Sequence, residues 1–211
     1  MSTITIRHDL RGLFGSARDQ GSRPTCLAFA TSDLHAAVRD TTWSELSCEY
    51  LFFHGVQRNG ASHTSGVGMS PIREALDQDG QPLETGWPYL KAVPKRWKPP
   101  ANVGNVYKHA SKMLAGGFSV AWRKVSSGAP VVIGMSISDA FFSPKGGVVD
   151  SAEAVDPSRR HAVIAVATGE LAEVKLLMVR NSWGTRWGLG GYAWIAERYL
   201  KPRIVEMVTI N

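Results

Sequence analysis

The sequence predicts an α+β protein with two lobes, and three observations lead to this fold class. The 211 residues are enough for one large core or for two small lobes that share an interface. In the first half, apolar residues recur at the spacing of an amphipathic helix. After Pro130 the pattern changes to short runs rich in Val and Ile, which are typical of strands. We expect one domain over residues 1–211, with a helical lobe at about 20–110 and a β lobe at about 111–211 that includes the N-terminal arm.

Three helices are predicted in the first half. The first begins at Cys26, because the run 21–25 before it has the character of a loop and a helix cap. Its apolar positions are Leu27, Ala30, Leu34, Ala37 and Val38. The second helix starts after Ser44, and the third follows Ser70 and Pro71 and stops at Gly80. Cys26 is therefore expected at a helix N-terminus.

Five strands are predicted in the second half, each bounded by Gly, Pro or charged turn residues. They cover residues 131–137, 162–168, 174–179, 192–196 and 203–210. A cleft between two lobes is a common place for a substrate to bind. Cys26 would come from the helical lobe, and His161 and Asn181 from strand ends of the β lobe.

Composition and charge exclude several classes of protein. No apolar run approaches the roughly 20 residues that a membrane helix needs, so we expect a soluble protein with no membrane partner. Lys and Arg outnumber Asp and Glu by 24 to 18. Their one dense stretch, Lys95–Lys98, lies among prolines and is typical of a solvated loop. We expect no nucleic-acid partner.

The chain start lacks the features of a secretory signal. Two cysteines, Cys26 and Cys48, could form at most one disulfide, whereas small secreted domains usually carry several. We expect a cytoplasmic protein with two thiols, and delivery by a non-classical secretion route stays open. Metal-ligand spacing is missing around Cys48 and the histidines, so we expect neither a metal nor another cofactor.

A nucleophilic thiol needs a feature that favours the thiolate, because its ordinary pKa is about 8.5. The helix N-terminus at Cys26 and an imidazolium at His161 could supply it. Asn181 could accept a hydrogen bond from one imidazole nitrogen and leave the other facing sulfur, with Trp183 covering that bond. The amide of Gln20, together with the Cys26 backbone N–H, could stabilise an oxyanion.

These residues lie in three segments that resemble the motifs of papain-like cysteine peptidases. The segments are Asp19–Ala30, His161-Ala162-Val163 and Asn181-Ser182-Trp183-Gly184. They occur in the family's order, with His161 135 residues and Asn181 155 residues beyond Cys26. The resemblance implies a papain-like fold with a helical N-terminal lobe, an antiparallel β-barrel-like C-terminal lobe and an active-site cleft between them. It also implies a cysteine endopeptidase that acts through an acyl-enzyme on Cys26.

The resemblance extends to substrate-binding positions. Gly66 and Gly68 fall where the family's substrate-backbone strand lies, and Trp183 belongs to the asparagine motif. The residue before the histidine, which helps line the family's main specificity pocket, is Arg160. Acidic or polar substrate side chains would suit that pocket, although Arg160 pointing to solvent is an equal alternative.

The chain departs from the secreted members of the family. The disulfide cysteines are missing, as in an intracellular or bacterial form, and Arg23 occupies the position just before the nucleophile loop. The chain begins 25 residues before Cys26, so we expect no pro-region. Activity would then be controlled by location, by the N-terminal arm, or by a regulatory or inhibitory protein partner. An acyl transferase using the same thioester, and a catalytically silent peptide-binding module, stay open as alternatives to a peptidase with protein or peptide substrates.

Overall fold

The computed structural model describes residues 3–39, 42–60 and 62–210. Within them the chain forms two compact units. The first, here called the α unit, contains Gln20–Lys112 and Ile210. The second, the β unit, contains the N-terminal segment up to Asp19 together with Met113–Thr209.

Helices and strands follow one another along the chain in the order that the sequence pattern indicates, helices first and most strands later. The helices are α1 (Cys26–Arg39), α2 (Cys48–Asn59), α3 (Met69–Gln78), α4 (Phe118–Ser126), α5 (Asp139–Phe142) and α6 (Glu197–Leu200). The strands are β1 (Thr5–Asp9), β2 (Gln81–Pro82), β3 (Val106–Tyr107), β4 (Ser111–Met113), β5 (Val131–Ser136), β6 (Val148–Val149), β7 (Arg160–Leu171), β8 (Val174–Arg180), β9 (Tyr192–Ala196) and β10 (Ile204–Ile210).

Helix α1 lies at the centre of the α unit, and every residue from Leu27 to Ala37 is buried. Two of its buried polar side chains, Ser32 and His35, find hydrogen-bond partners inside the unit. The amide of Gln81 donates to the Ser32 hydroxyl at 2.8 Å and to the Ser47 carbonyl at 2.9 Å, and its oxygen lies 3.0 Å from His35 Nδ1. Burial lowers the pKa of His35 to about 4, so this histidine is neutral at physiological pH.

The helix boundaries agree with the predictions for α1 and differ for α2 and α3. Helix α2 begins at Cys48 rather than after Ser44, because Ser47 is its N-cap. The Ser47 hydroxyl accepts the Tyr50 N–H at 3.1 Å and donates to the Trp87 carbonyl at 2.6 Å. Helix α3 begins at Met69, which places Pro71 inside the first turn, where its missing N–H costs no hydrogen bond.

The β unit is built around the long strand β7. Antiparallel β5 pairs with residues Arg160–Ala165 of β7, and β1 pairs with Ala167–Glu170. Strand β8 pairs with β7 from Ile164 to Leu171. All five predicted strands are present, with ends shifted by three residues or fewer. Strand β1 and helix α4 were not predicted.

The expected antiparallel, barrel-like arrangement needs correction in two respects. Within the described residues, the strands run in the open order β10-β5-β7-β8-β9-β6 and do not close into a ring. Strand β6 is parallel to β9, with Val148 opposite Trp194. The apolar side chains of the inner face pack together with α4, where Phe118, Ala121 and Val125 are buried.

We predict that Ser47→Ala destabilises the protein by about 1–3 kcal/mol, because it removes the α2 cap and leaves two buried backbone groups without their partner. Urea unfolding followed by circular dichroism measures this change. Ser44→Ala is the matched control, and we expect less than about 0.5 kcal/mol from it. Equal effects of the two substitutions would contradict the observed start of α2.

Candidate active site

The pairing of β7 with β8 brings His161 and Asn181 together in the β unit. His161 is the second residue of β7, and Asn181 directly follows the last residue of β8. Because the two strands are antiparallel, with Ile164 opposite Arg180, the start of one meets the end of the other. His161 Nε2 lies 2.7 Å from Asn181 Oδ1, and both side chains are buried.

A second hydrogen bond determines which imidazole nitrogen carries the proton. The backbone N–H of Ser182 donates to Asn181 Oδ1 at 2.8 Å. This donor requires the amide oxygen at that position, so the amide is not flipped, and the oxygen also faces the imidazole ring. An oxygen can only accept, so His161 Nε2 is the protonated nitrogen. In the neutral ring, Nδ1 is therefore the basic nitrogen.

Aromatic rings surround this histidine. The Trp183 ring lies 4.6 Å from the His161 ring between centroids, at an interplanar angle of 36°. Phe141 approaches it from another side at 5.7 Å, and Phe142 stacks on Trp183 at 5.2 Å and 15°. Trp183 thus lies against the His161 ring, and its role as a cover that keeps water from the His161–Asn181 hydrogen bond stays a prediction.

Burial in this aromatic environment lowers the pKa of His161 to about 4, and the hydrogen bond to Asn181 opposes part of that effect. The ordinary pKa of histidine, which applies in the unfolded chain, is about 6.5. Between pH 6.5 and 4 the unfolded chain thus binds more protons at this site. The stability that the buried neutral ring contributes is full above about pH 6.5 and is lost as the pH falls towards 4.

In the α unit, Cys26 is the first residue of α1, as predicted. Its side chain is partly exposed, whereas Cys48 is buried, and both are thiols. The preceding loop is held by Tyr89, whose hydroxyl donates to the Gln20 carbonyl at 2.8 Å. That bond uses the only hydroxyl proton of Tyr89, so Thr25 Oγ1, 2.9 Å away, donates to the Tyr89 oxygen.

Gln20 is buried at the start of the same loop. Its side-chain Nε2 donates to the Arg23 carbonyl at 2.8 Å, which fixes the direction of the amide. Within the α unit, the loop from Gln20 to the start of α1 at Cys26 is thus fixed by hydrogen bonds between its own side chains and backbone.

An ion pair that sequence reasoning missed anchors this loop to α2. Arg23 donates to the two carboxylate oxygens of Glu49 at 2.6 and 3.0 Å, and Glu49 is fully buried. The carboxylate also accepts the Leu90 N–H at 3.0 Å and the Trp97 indole N–H at 2.6 Å. The Arg23 guanidinium lies 4.9 Å from the centre of the Tyr89 ring. In the sequence, Arg23 stood out only because the disulfide cysteines of the secreted members are missing. In the structure it holds the loop by charge and hydrogen bonds.

Comparison with known proteins agrees with this geometry. The model of the family described as "Papain family cysteine protease" matches residues 4–210. The chain belongs to this family. A cysteine protease of Blomia tropicalis is 31% identical over an alignment of 209 residues, which covers 91% of this chain and 60% of that protein. Cysteine proteinase 3 of Entamoeba histolytica is 28% identical over an alignment of 198 residues, which covers 90% of this chain and 62% of that protein. The chain thus spans about three fifths of these relatives.

Solved structures of the family confirm the expected papain-like fold. A structure from work on the mite allergens Blo t 1 and Der p 1 matches with a TM-score of 0.80 and 25% identity, over 96% of this chain and 69% of that one. A cysteine protease of Carica candamarcensis in complex with E-64 matches with a TM-score of 0.79 and 22% identity, over 96% of both chains. Xylellain, a cysteine protease of Xylella fastidiosa, matches with a TM-score of 0.75 and 19% identity, over 99% of this chain and 85% of that one.

The remaining predicted site residues have different surroundings. Gly66 has a φ of +80°, and an added Cβ would lie 3.3 Å from the Pro24 carbonyl, so a glycine suits this approach to the nucleophile loop. Gly68 is the N-cap of α3 and has an ordinary φ of −81°. Arg160 is exposed at the start of β7, and its Nε donates to the Pro157 carbonyl at 2.7 Å. Its role in specificity stays a prediction.

The described residues contain neither a metal-binding cluster nor a membrane-spanning helix. In residues 3–39, 42–60 and 62–210, no group of three or more His, Cys, Asp or Glu side chains could hold a metal ion. In the same part of the chain, no helix is both long and apolar enough to cross a membrane.

We predict that His161 titrates with a pKa near 4 in a Cys26→Ala variant, where its imidazolium has no thiolate to pair with. Nuclear magnetic resonance of the ring protons, followed from pH 8 to pH 3.5, measures this pKa. Adding Asn181→Ala should lower it further, because the hydrogen-bond acceptor that favours the charged ring is then lost. A pKa of 6.5 or above in the single variant would contradict the burial argument.

We predict that Glu49→Gln destabilises the protein by about 3–5 kcal/mol, because the buried Arg23 guanidinium loses its counter-charge. The free energy of unfolding in urea gives the measurement. Glu170→Gln removes the exposed Glu170–Arg7 pair and serves as the matched control, with an expected cost of at most about 1 kcal/mol. Similar costs for both substitutions would show that the buried pair does not anchor the loop.

Proposed function

We propose that this protein is a cysteine peptidase that hydrolyses peptide bonds through an acyl-enzyme on Cys26. The observation that carries the proposal is the hydrogen bond from His161 Nε2 to Asn181 Oδ1, which leaves Nδ1 as the basic nitrogen. A partly exposed thiol at a helix start and the family's cysteine protease relatives support the same chemistry. As with the relatives, the substrates would be proteins or peptides.

The thiol and the imidazole depend on each other in this proposal. A buried His161 with a pKa near 4 does not hold a proton at neutral pH by itself. Transfer of the Cys26 proton to Nδ1 creates a thiolate that stabilises the imidazolium, while Asn181 accepts the Nε2 proton of the charged ring. The positive end of α1 favours the thiolate as well.

The proposed reaction has two halves. The Cys26 sulfur bonds to the carbonyl carbon of the substrate, and the negative charge moves to oxygen, where the Cys26 backbone N–H and the side-chain amide of Gln20 stabilise it. His161 then gives its Nδ1 proton to the leaving amine as the C–N bond breaks. In the second half, His161 takes a proton from water and the hydroxide attacks the thioester carbonyl. The C–S bond then breaks, which releases the acid and restores the Cys26 thiolate beside the protonated His161.

Endopeptidase activity is our first choice, because no recognisable insertion in the sequence would block one end of the substrate site. An acyl transferase would form the same thioester and deliver the acyl group to an amine instead of water. Product analysis separates the two reactions, since hydrolysis leaves a free carboxylate and transfer leaves a new amide. A silent peptide-binding module would form no thioester.

We predict that an epoxide inhibitor of papain-like enzymes forms one adduct on the native protein, at Cys26, as measured by mass spectrometry of its peptides. A thiol with the ordinary pKa of about 8.5 is only about 3% thiolate at pH 7, and the start of α1 offsets part of that loss, so His161→Ala should slow labelling by up to about 30-fold. Cys26→Ala should not react at all.

Two controls sharpen this experiment. Cys48 is fully buried and serves as the internal control, which should stay unlabelled until the protein unfolds. Gln20→Ala should lower kcat for peptide hydrolysis by about 10² to 10³, since one oxyanion donor is lost, while Cys26 is still labelled. A folded wild type without an adduct would overturn the peptidase proposal and favour the binding module.

A further inference from the structure

A pocket in the β unit lies beside the candidate catalytic histidine. Its volume is about 500 Å³, and it is lined by residues 142–144 on one side and by Trp183 and residues 186–188 on the other. Trp183 belongs both to this lining and to the cover of His161, whose ring centre is 4.6 Å from its own. The Trp183 ring therefore contacts the His161 imidazole and also forms part of the pocket wall.

The walls of this pocket are held in place by contacts inside the β unit. The Trp187 indole is buried and donates to the Phe141 carbonyl at 3.1 Å. Its backbone carbonyl accepts the Gly191 N–H at 2.8 Å. The stacking of Phe142 on Trp183 joins the two sides. A ligand would thus find a largely preformed site, which lowers the entropic cost of binding.

Arg186 is the only charged residue among those that line the pocket. Its side chain is exposed, and it makes no hydrogen bond or ion pair with any residue in the described ranges. A nearby cation, Arg159, lies over the Phe142 ring at 5.2 Å but is already paired with Asp139 at 2.8 Å. No acidic residue contributes to the lining. The pocket therefore offers a guanidinium whose donors are available to a substrate.

The chemistry of the proposed reaction assigns a substrate region to this pocket. In the acylation step His161 protonates the leaving amine, so the leaving part of the substrate must lie on the imidazole side of the scissile bond. The pocket shares Trp183 with that side. A guanidinium binds carboxylates with two parallel hydrogen bonds, which gives both geometry and charge selectivity.

We propose that Arg186 makes this protein prefer substrates that carry a carboxylate on the leaving side of the scissile bond. This inference rests on the proposed peptidase function and adds to it the residue that selects the substrate. The carboxylate could belong to an Asp or Glu side chain within the leaving segment, or to the free C-terminus of a short leaving segment. Both sources present a carboxylate to Arg186, and different peptides are needed to test each of them.

The test compares kcat/KM for matched peptides with the full chain. In one pair, a peptide that the wild type cleaves carries Glu or Gln at the first or second position after the scissile bond. In the other pair, the leaving dipeptide ends in a free carboxylate or in an amide. We expect the charged member of at least one pair to be cleaved roughly three- to tenfold faster, and the pair that responds identifies the source.

Variants of Arg186 link the preference to this side chain. Arg186→Ala should bring the ratio close to one, Arg186→Lys should keep part of it, and Arg186→Glu should favour a Lys peptide over the Glu peptide. Arg123→Ala on α4 removes the same charge from an exposed position that is not part of the pocket lining, and it should keep the wild-type ratio.

The outcomes distinguish this inference from the function on which it rests. Equal kcat/KM within both wild-type pairs, or a preference that Arg186→Ala leaves unchanged, would overturn the role of Arg186 while peptide cleavage itself stands. A wild type that cleaves no peptide and forms no Cys26 adduct would overturn the proposed function and this inference with it.

Discussion

The antiparallel pairing of β7 with β8 is the constraint on which the candidate site depends. It places His161 at the start of one strand beside Asn181 at the end of the other, so that a 2.7 Å hydrogen bond forms between their side chains. The Ser182 N–H holds the amide, the amide selects the imidazole tautomer, and the Trp183 ring packs against the imidazole. Each step follows from the register, because a shift by one residue would turn His161 to the other face of the sheet.

Two buried polar sites, one in each unit, are stabilised in different ways. In the β unit, His161 is buried as a neutral ring, and burial keeps its pKa near 4 until an anion is present. In the α unit, Arg23 and Glu49 are buried as charges, and four donors surround the carboxylate. The buried neutral imidazole of His161 can therefore take up a proton when an anion is present. The second site holds its charges permanently and thereby anchors the loop that leads to Cys26.

Periodicity in the sequence was sufficient to predict the regular helices and strands. It was insufficient where a single polar contact decides at which residue a helix begins. The five strands of the second half and the start of α1 were predicted because their apolar runs are continuous. The start of α2 was placed after Ser44, since both serines are suitable caps and only the contact with Trp87 distinguishes Ser47. Strand β1 was missed because it is short and only one of its five residues is partly buried.

The sequence by itself determined the fold class, the family and the candidates Cys26, His161, Asn181 and Gln20, because motif residues and their order are properties of the chain. Only the tertiary structure decided that Asn181 faces Nε2 and that Trp97 joins Arg23 and Glu49. It also decided that Arg186 lines a pocket with Trp183 and has no hydrogen-bond or ion-pair partner among the described residues. The first two contacts join residues far apart in the chain. Their geometry depends on strand register and on side-chain packing, and neither quantity has a local signal in the sequence.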